Sequence, residues 1–303
     1  MSTPAQPAAT PQPPGALTPP ESAASWKERR HALLTLGGLL TATLAVALSA
    51  SATQLAGLYG VTNSPVLAGW SRATGPLCAL AAGIWLIRAL RATSQWQTYL
   101  ALPVITAGCI APLLPSAAGR AVFSLAFAAL ATWLTLSLLH RHGIPPRQVL
   151  HDGERESLQT SAVKWLLAGA GMYLACDRTV AYFDILAYRL PSLVPAQSQT
   201  EVLGWTGTLL PVTNVVYTCV LEELVIVAAV VLLTRRAGLP LWTAYTISIS
   251  LRVATHLYLG APGLAAILLG AAGVALYIHT QRLLPLMLAH LIYDLLPDPK
   301  EIW

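Results

Sequence analysis

Six residues in the last third of the chain have types and spacings that could do chemistry. Glu222 and Glu223 sit side by side inside the apolar run "VVYTCVLEELVIVAAVVLL", residues 215 to 233. Arg252 and His256 are four apart in "LRVATH", and His290 and Asp294 are four apart in "HLIYD". A charged side chain at the centre of a bilayer costs about 2.5 to 3.5 kcal/mol, so each is a functional candidate. Residues i and i+4 share one helix face, so each later run carries a polar pair on one stripe. Glu222 and Glu223 point about 100° apart on an α-helix. One is expected to face a shared centre and the other a neighbouring helix. A carboxylate near imidazoles can act as general base on a water. Two histidines and a carboxylate can instead hold a catalytic zinc with one open position. A second carboxylate can orient a histidine or support a developing oxyanion. These roles suit water-dependent cleavage of an amide in a membrane-embedded pocket. His279, beside Gln281 and Arg282 at a run end, can reach the interface and is set aside.

The elements that must position these groups follow from composition. Hydrophobic residues make up 55% of the 303-residue chain and charged residues only 10%. A soluble domain carries roughly 25% charged residues. Mean hydropathy is +0.60. The chain therefore reads as an all-α, polytopic membrane helix bundle of eight or nine transmembrane helices. The apolar runs are approximately 32–55, 73–90, 98–115, 121–139, 163–183, 207–234, 240–259, 262–279 and 283–296. About 20 residues cross the hydrocarbon core, so several runs are short and the last is shortest. The fifth is interrupted at Asp177 and Arg178, which are expected to face the bundle or a wet vestibule rather than pair with each other. With the N-terminus in the cytoplasm and nine spans, twelve basic residues fall on the cytoplasmic side and five outside, which the positive-inside rule favours. The chain is thus expected to be an integral protein of a bacterial plasma membrane. Its net charge of +5 is spread over run ends and does not point to nucleic acid.

Residues 1–25 are Pro- and Ala-rich, read as a disordered cytoplasmic tail and lack signal-peptide features. Residues 26–200 form N-terminal transmembrane helices and 201–303 a catalytic helix core. The loop 140–162 carries His140, His142 and His151; its Gly-Ile-Pro-Pro break and mixed charges read as a solvated connector rather than a metal site. Cys78, Cys109, Cys176 and Cys219 are dispersed in apolar runs and read as small core side chains.

"EELVIV", "RVATH" and "HLIYD" together resemble the CPBP intramembrane protease family, which includes CAAX-processing and bacteriocin-processing enzymes. That family's pattern is EExxxR, then FxxxH, then HxxxN or HxxxD on successive helices. The resemblance runs from Glu222 to Asp294. It implies Glu222 as the base that activates water and Glu223 as its supporting carboxylate. It implies His256 and His290 as groups that position water, stabilise the oxyanion or bind metal, with Asp294 assisting. The pattern departs at two places: Val227 stands where the motif has arginine, and Arg252 where it has phenylalanine. Read as one change, Arg252 supplies from the next helix the charge that Val227 cannot, with Glu223 as its partner.

The expected function is therefore an intramembrane endopeptidase acting on a membrane-associated protein or peptide, with the lipid bilayer as its setting. Glu222, His256, His290 and Asp294 could ligate a divalent metal such as zinc, or form a metal-free centre. A non-catalytic membrane scaffold of the same family and a proton-coupled transporter remain alternatives. Depth along the helices is a point of tension. Counted from the presumed cytoplasmic ends, Glu222, His256 and His290 lie roughly 18, 24 and 12 Å deep at ~1.5 Å per residue.

Overall fold

The computed structural model describes residues 25–58, 84, 117–151, 156–194 and 209–296. The tail and the apolar runs 73–90 and 98–115 lie outside the described residues, apart from Ser25 and a single helical residue, Ile84. The described chain is helical, with one isolated antiparallel bridge between His151 and Arg282. Helix α1 is Trp26–Leu58, α2 is Ala117–Arg141, α3 is the short Pro146–Leu150 and α4 is Leu158–Arg189. A rod then begins as α5, Leu209–Cys219, widens into a π-helical segment, Val220–Ala229, and returns as α6, Val230–Ala237. Helix α7 is Leu241–His256, α8 is Ala266–Thr280 and α9 is Leu283–Leu295.

Local chemistry sets several boundaries. Ser157 caps α4 by accepting from the Thr160 N–H. Gly238 ends α6 in the left-handed region at φ 71°, where a side chain would be strained, and the Leu239 N–H returns to the Thr234 carbonyl. Pro240 then precedes α7, where a missing N–H costs nothing.

The rod is the hub. Helices α2, α7, α8 and α9 all pack against the π segment, α1 packs on α6 and α7, and α4 packs on α8 and α9. From Leu224 to Leu233 the rod is buried throughout. Two helices among the described residues, Val212–Ala237 and Ala261–Thr280, are long and apolar enough to cross a membrane, and Leu283–Leu295 is a shorter apolar helix. The expected eight or nine spans thus find two clear counterparts here. Helix α4 has the length, but Lys164, Asp177, Arg178 and Asp184 interrupt it. Its outward face nevertheless presents Leu166, Leu174, Tyr182 and Ile185, an apolar surface that suits lipid.

Two local expectations change. Asp177 and Arg178 do not turn into the bundle, which leaves the wet-vestibule branch of that expectation; both are exposed, and they make a loose 3.7 Å contact with each other where none was expected. The described part of the loop after α2 is a solvated connector only on one side: Gly143, Pro145, Pro146, Arg147 and His151 are exposed, and the rest packs inward. His142 is buried and its Nε2 lies 3.0 Å from Thr35 Oγ1, with the His31 ring 4.9 Å away. Val149 is buried, and its carbonyl accepts a 3.0 Å hydrogen bond from Tyr277. Glu156 then binds Arg282 at 2.6 Å and also pairs with Lys164. Ile144 and Val149 supply the apolar surface that draws this strap inward, while His140 and His151 stay exposed.

Candidate active site

All six residues singled out from sequence meet beside the π segment. Glu222 and Glu223 come from the segment itself, Arg252 and His256 from the last turns of α7, and His290 and Asp294 from α9. Two glycines let α8 close against this group. A Cβ at Gly270 would stand 3.1 Å from the Ile249 Cα on α7, and one at Gly273 would stand 3.1 Å from Val227 Cγ2. Small residues at such crossings allow the close backbone approach that membrane helices use in place of a hydrophobic driving force.

Arg252 is fully buried, and its guanidinium bridges both carboxylates. Nη1 donates to Glu222 Oε2, and Nη2 donates to Glu223 Oε1 at 2.8 Å. The expected pairing with Glu223 is present and extends to Glu222. The expectation that the two carboxylates would face different neighbours is corrected. A π-helix closes i→i+5 hydrogen bonds and turns less per residue than an α-helix, so successive side chains diverge by less than 100°. Both glutamates can then reach one guanidinium.

The histidines complete the network. His290 Nδ1 lies 2.9 Å from Glu223 Oε1, and its Nε2 lies 3.4 Å from Asp294 Oδ2 and 3.7 Å from Glu222 Oε2. A carboxylate only accepts, so the proton in the Glu223 contact belongs to His290 Nδ1. His256 Nδ1 donates to the Arg252 carbonyl at 2.9 Å, which leaves its Nε2 as the open ring nitrogen. Its Nδ1 is 3.8 Å from Glu222 Oε1. Burial is graded: side-chain exposure is 0% at Glu223 and Arg252, 3% at Glu222 and 4% at His290, but 17% at His256 and 32% at Asp294. The centre thus opens toward the ends of α7 and α9.

The donor types also suit a metal. Ligand atoms of Glu222, Glu223 and His290 lie within 4.8 Å of one another, but Arg252 already pairs with an oxygen of each carboxylate and opposes a second cation there. A second group joins Cys219 to His290 and Asp294. The four expected ligands are therefore divided: Glu222 and His290 fall in the first group, Asp294 in the second, and His256 in neither. Cys219 is the residue that sequence reading missed. A lone cysteine in an apolar run resembles any core residue, and only α9 reveals its company.

Residues 204–296 match the family model described as type II CAAX prenyl endopeptidase, Rce1-like. The match includes every residue of the cluster and bears out the CPBP resemblance over this stretch. No curated protein and no solved structure matches the chain.

Proposed function

We propose that the protein is an intramembrane endopeptidase that hydrolyses a peptide bond in a membrane-associated protein or peptide. The observation that carries this reading is the single buried cluster of Glu222, Glu223, Arg252, His256 and His290, inside the family-matched stretch. Arg252 holds Glu222 Oε2, so Oε1, on the His256 side, is the oxygen free to take a proton from water. The water oxygen attacks the scissile carbonyl carbon, its proton passes to Glu222, and the carbonyl oxygen becomes an oxyanion. Carboxylate oxygens face both nitrogens of His290, so its ring can carry protons on both and donate from Nε2 to that oxyanion. Glu222 then returns the proton to the departing amide nitrogen as the C–N bond breaks. Glu223 anchors both Arg252 and His290, and Asp294 steadies the open side of His290.

The substrate enters where α7 and α9 end, past Phe183 and Tyr258, whose rings lie 6.2 and 6.4 Å from that of His256. That mouth is opposite the end carrying Arg235, Arg236 and Arg282. With the N-terminus cytoplasmic and nine spans, it faces away from the cytoplasm. A prenylated CAAX tail is one substrate of the right kind; a membrane peptide or membrane-bound regulator is another.

The test compares membrane proteomes of cells carrying wild-type protein or Glu222→Gln at matched levels. The variant is expected to accumulate an uncleaved membrane peptide, with turnover down about 10²- to 10⁴-fold, the usual worth of a general base. Identical peptide profiles in the two strains would refute the reading.

A further inference from the structure

We propose that Cys219, His290 and Asp294 form a binding site for one soft divalent cation of the zinc class, and that occupation of this site switches the catalytic centre off. Ligand atoms of the three residues lie within 4.8 Å of one another. Zinc bonds of about 2.0 to 2.3 Å place neighbouring ligands somewhat closer than this, a contraction that side-chain rotation can supply. The chemistry is selective. A thiolate with an imidazole favours zinc-class ions over magnesium or calcium, and three protein ligands leave a fourth position for water.

Two features favour this set over Glu222, Glu223 and His290. Both carboxylates of the latter already carry the Arg252 guanidinium, which would repel a second cation. In the Cys219 set, His290 is already turned for the task. Its Nδ1 meets Glu223 Oε1 at 2.9 Å, and Nε2 faces Asp294 Oδ2 at 3.4 Å. A histidine ligand characteristically donates its other N–H to a carboxylate, which fixes the ring and raises its basicity. Glu223 holds that second position. Asp294 is one-third exposed and gives the ion a way in from the mouth of the site, while Cys219 lies buried behind it.

The consequence rests on the peptidase reading. An ion on His290 Nε2 removes the donor that reading assigns to the oxyanion, so hydrolysis stops until the ion leaves. Binding displaces the thiol proton, so affinity rises with pH.

The experiment uses the full-length protein in detergent micelles, stripped of metal and titrated with Co²⁺. A thiolate-to-cobalt charge-transfer band is expected in the near ultraviolet, bleached when Zn²⁺ displaces the cobalt. Cys219→Ser should abolish the band while Cys78, Cys109 and Cys176 remain in place. Cys219→Ala repeats the test should the serine variant fold poorly. Asp294→Asn should keep the band and weaken Zn²⁺ about 10-fold, and Glu222→Gln should leave both unchanged. A wild type without the band, or a band that survives in both Cys219 variants, overturns the site. These readouts need no hydrolysis. If the metal behaves as described while cells with wild type and Glu222→Gln show identical peptide profiles, the peptidase reading fails and the site stands.

Discussion

Replacing Arg252 with alanine tests the centre most directly. The guanidinium is fully buried and is the cation between Glu222, 3% exposed, and Glu223, fully buried. Its loss leaves two carboxylates with oxygens no more than 4.8 Å apart. At an effective dielectric of about 20, two unit charges at that distance repel by about 3.5 kcal/mol. Breaking a buried pair by removing one partner costs about 3 to 5 kcal/mol in measured cases, which agrees. Arg252→Ala is therefore expected to lose about 3 to 5 kcal/mol, a large share of the 5 to 15 kcal/mol that holds a typical domain together. Denaturant unfolding in micelles and the protein level in membranes both read this loss. Adding Glu223→Gln to Arg252→Ala removes one of the repelling charges and should recover most of the Coulomb part. Adding Val227→Arg instead should recover part of it, because Val227, Glu223 Oε2 and Arg252 Nη2 all meet at Gly273, at 3.1, 3.6 and 3.8 Å from where its Cβ would stand. Arg252→Ala with wild-type unfolding and wild-type levels would refute the reasoning. Failure of Val227→Arg to improve on Arg252→Ala would refute the narrower idea that position 252 does the work of position 227.

Other outcomes follow from the same geometry. Gly270→Ala should cost about 1 to 3 kcal/mol, the range for overpacking, because its Cβ would press on the Ile249 backbone; the unfolding midpoint reads it. His142 is held down to about 4 by burial, with His31, Arg141 and Arg236 adding to the effect. Its folded value lies below the ordinary 6.5, so its share of stability is complete above pH 6.5 and is lost as pH falls toward 4. That share is up to about 3 kcal/mol, and His142→Gln should flatten the stability profile across this window. The hydrogen bond from Lys164 holds the Glu156 carboxyl below its ordinary 4.5, so Glu156→Gln should loosen the strap at neutral pH. The difference from wild type should fade as pH falls below the carboxylate range. Proteolysis within residues 142–157 measures that loosening.

The polar cluster was legible because i,i+4 spacing survives folding. Arg252 with His256, and His290 with Asp294, each arrive on one helix face as their spacing implied. What failed to show was everything that depends on how helices enter the bundle. Depth arithmetic assumed that each helix begins at the membrane surface, and it placed His290 roughly 12 Å deep. Yet Arg282, the residue before α9, is itself fully buried beneath the strap and paired with Glu156. His290 nevertheless meets Glu222, its Nε2 3.7 Å from Glu222 Oε2, so residue counts from the run ends do not set the level of a side chain in the bundle. The π segment was hidden for a related reason. Val, Leu, Ile and Ala are compatible with either hydrogen-bond pattern, and nothing in "VLEELVIVAA" marks a change from i→i+4 to i→i+5. The buried side of the strap was hidden because Pro-Pro and mixed charge outweighed Ile144 and Val149, the two apolar residues that pack inward.

The two departures from the family motif can be read as one coupled substitution at Gly273. The motif arginine would arise from position 227 on the same helix as the glutamates. Here the cation arises from α7, and position 227 holds a small apolar residue that is fully buried. An arginine at both positions would crowd two guanidinium groups against one pair of carboxylates, beside a glycine already within 3.1 Å of Val227 by its missing Cβ. An arginine at neither would leave the carboxylates unpaired, at the cost worked out for Arg252→Ala. Only one of the two positions can carry the charge, so Val227 and Arg252 are permissible as a pair where each alone would look like damage. Gly273 is held to glycine chiefly by Val227 Cγ2, 3.1 Å from where its Cβ would stand, while Glu223 Oε2 and Arg252 Nη2 lie at ordinary contact distance.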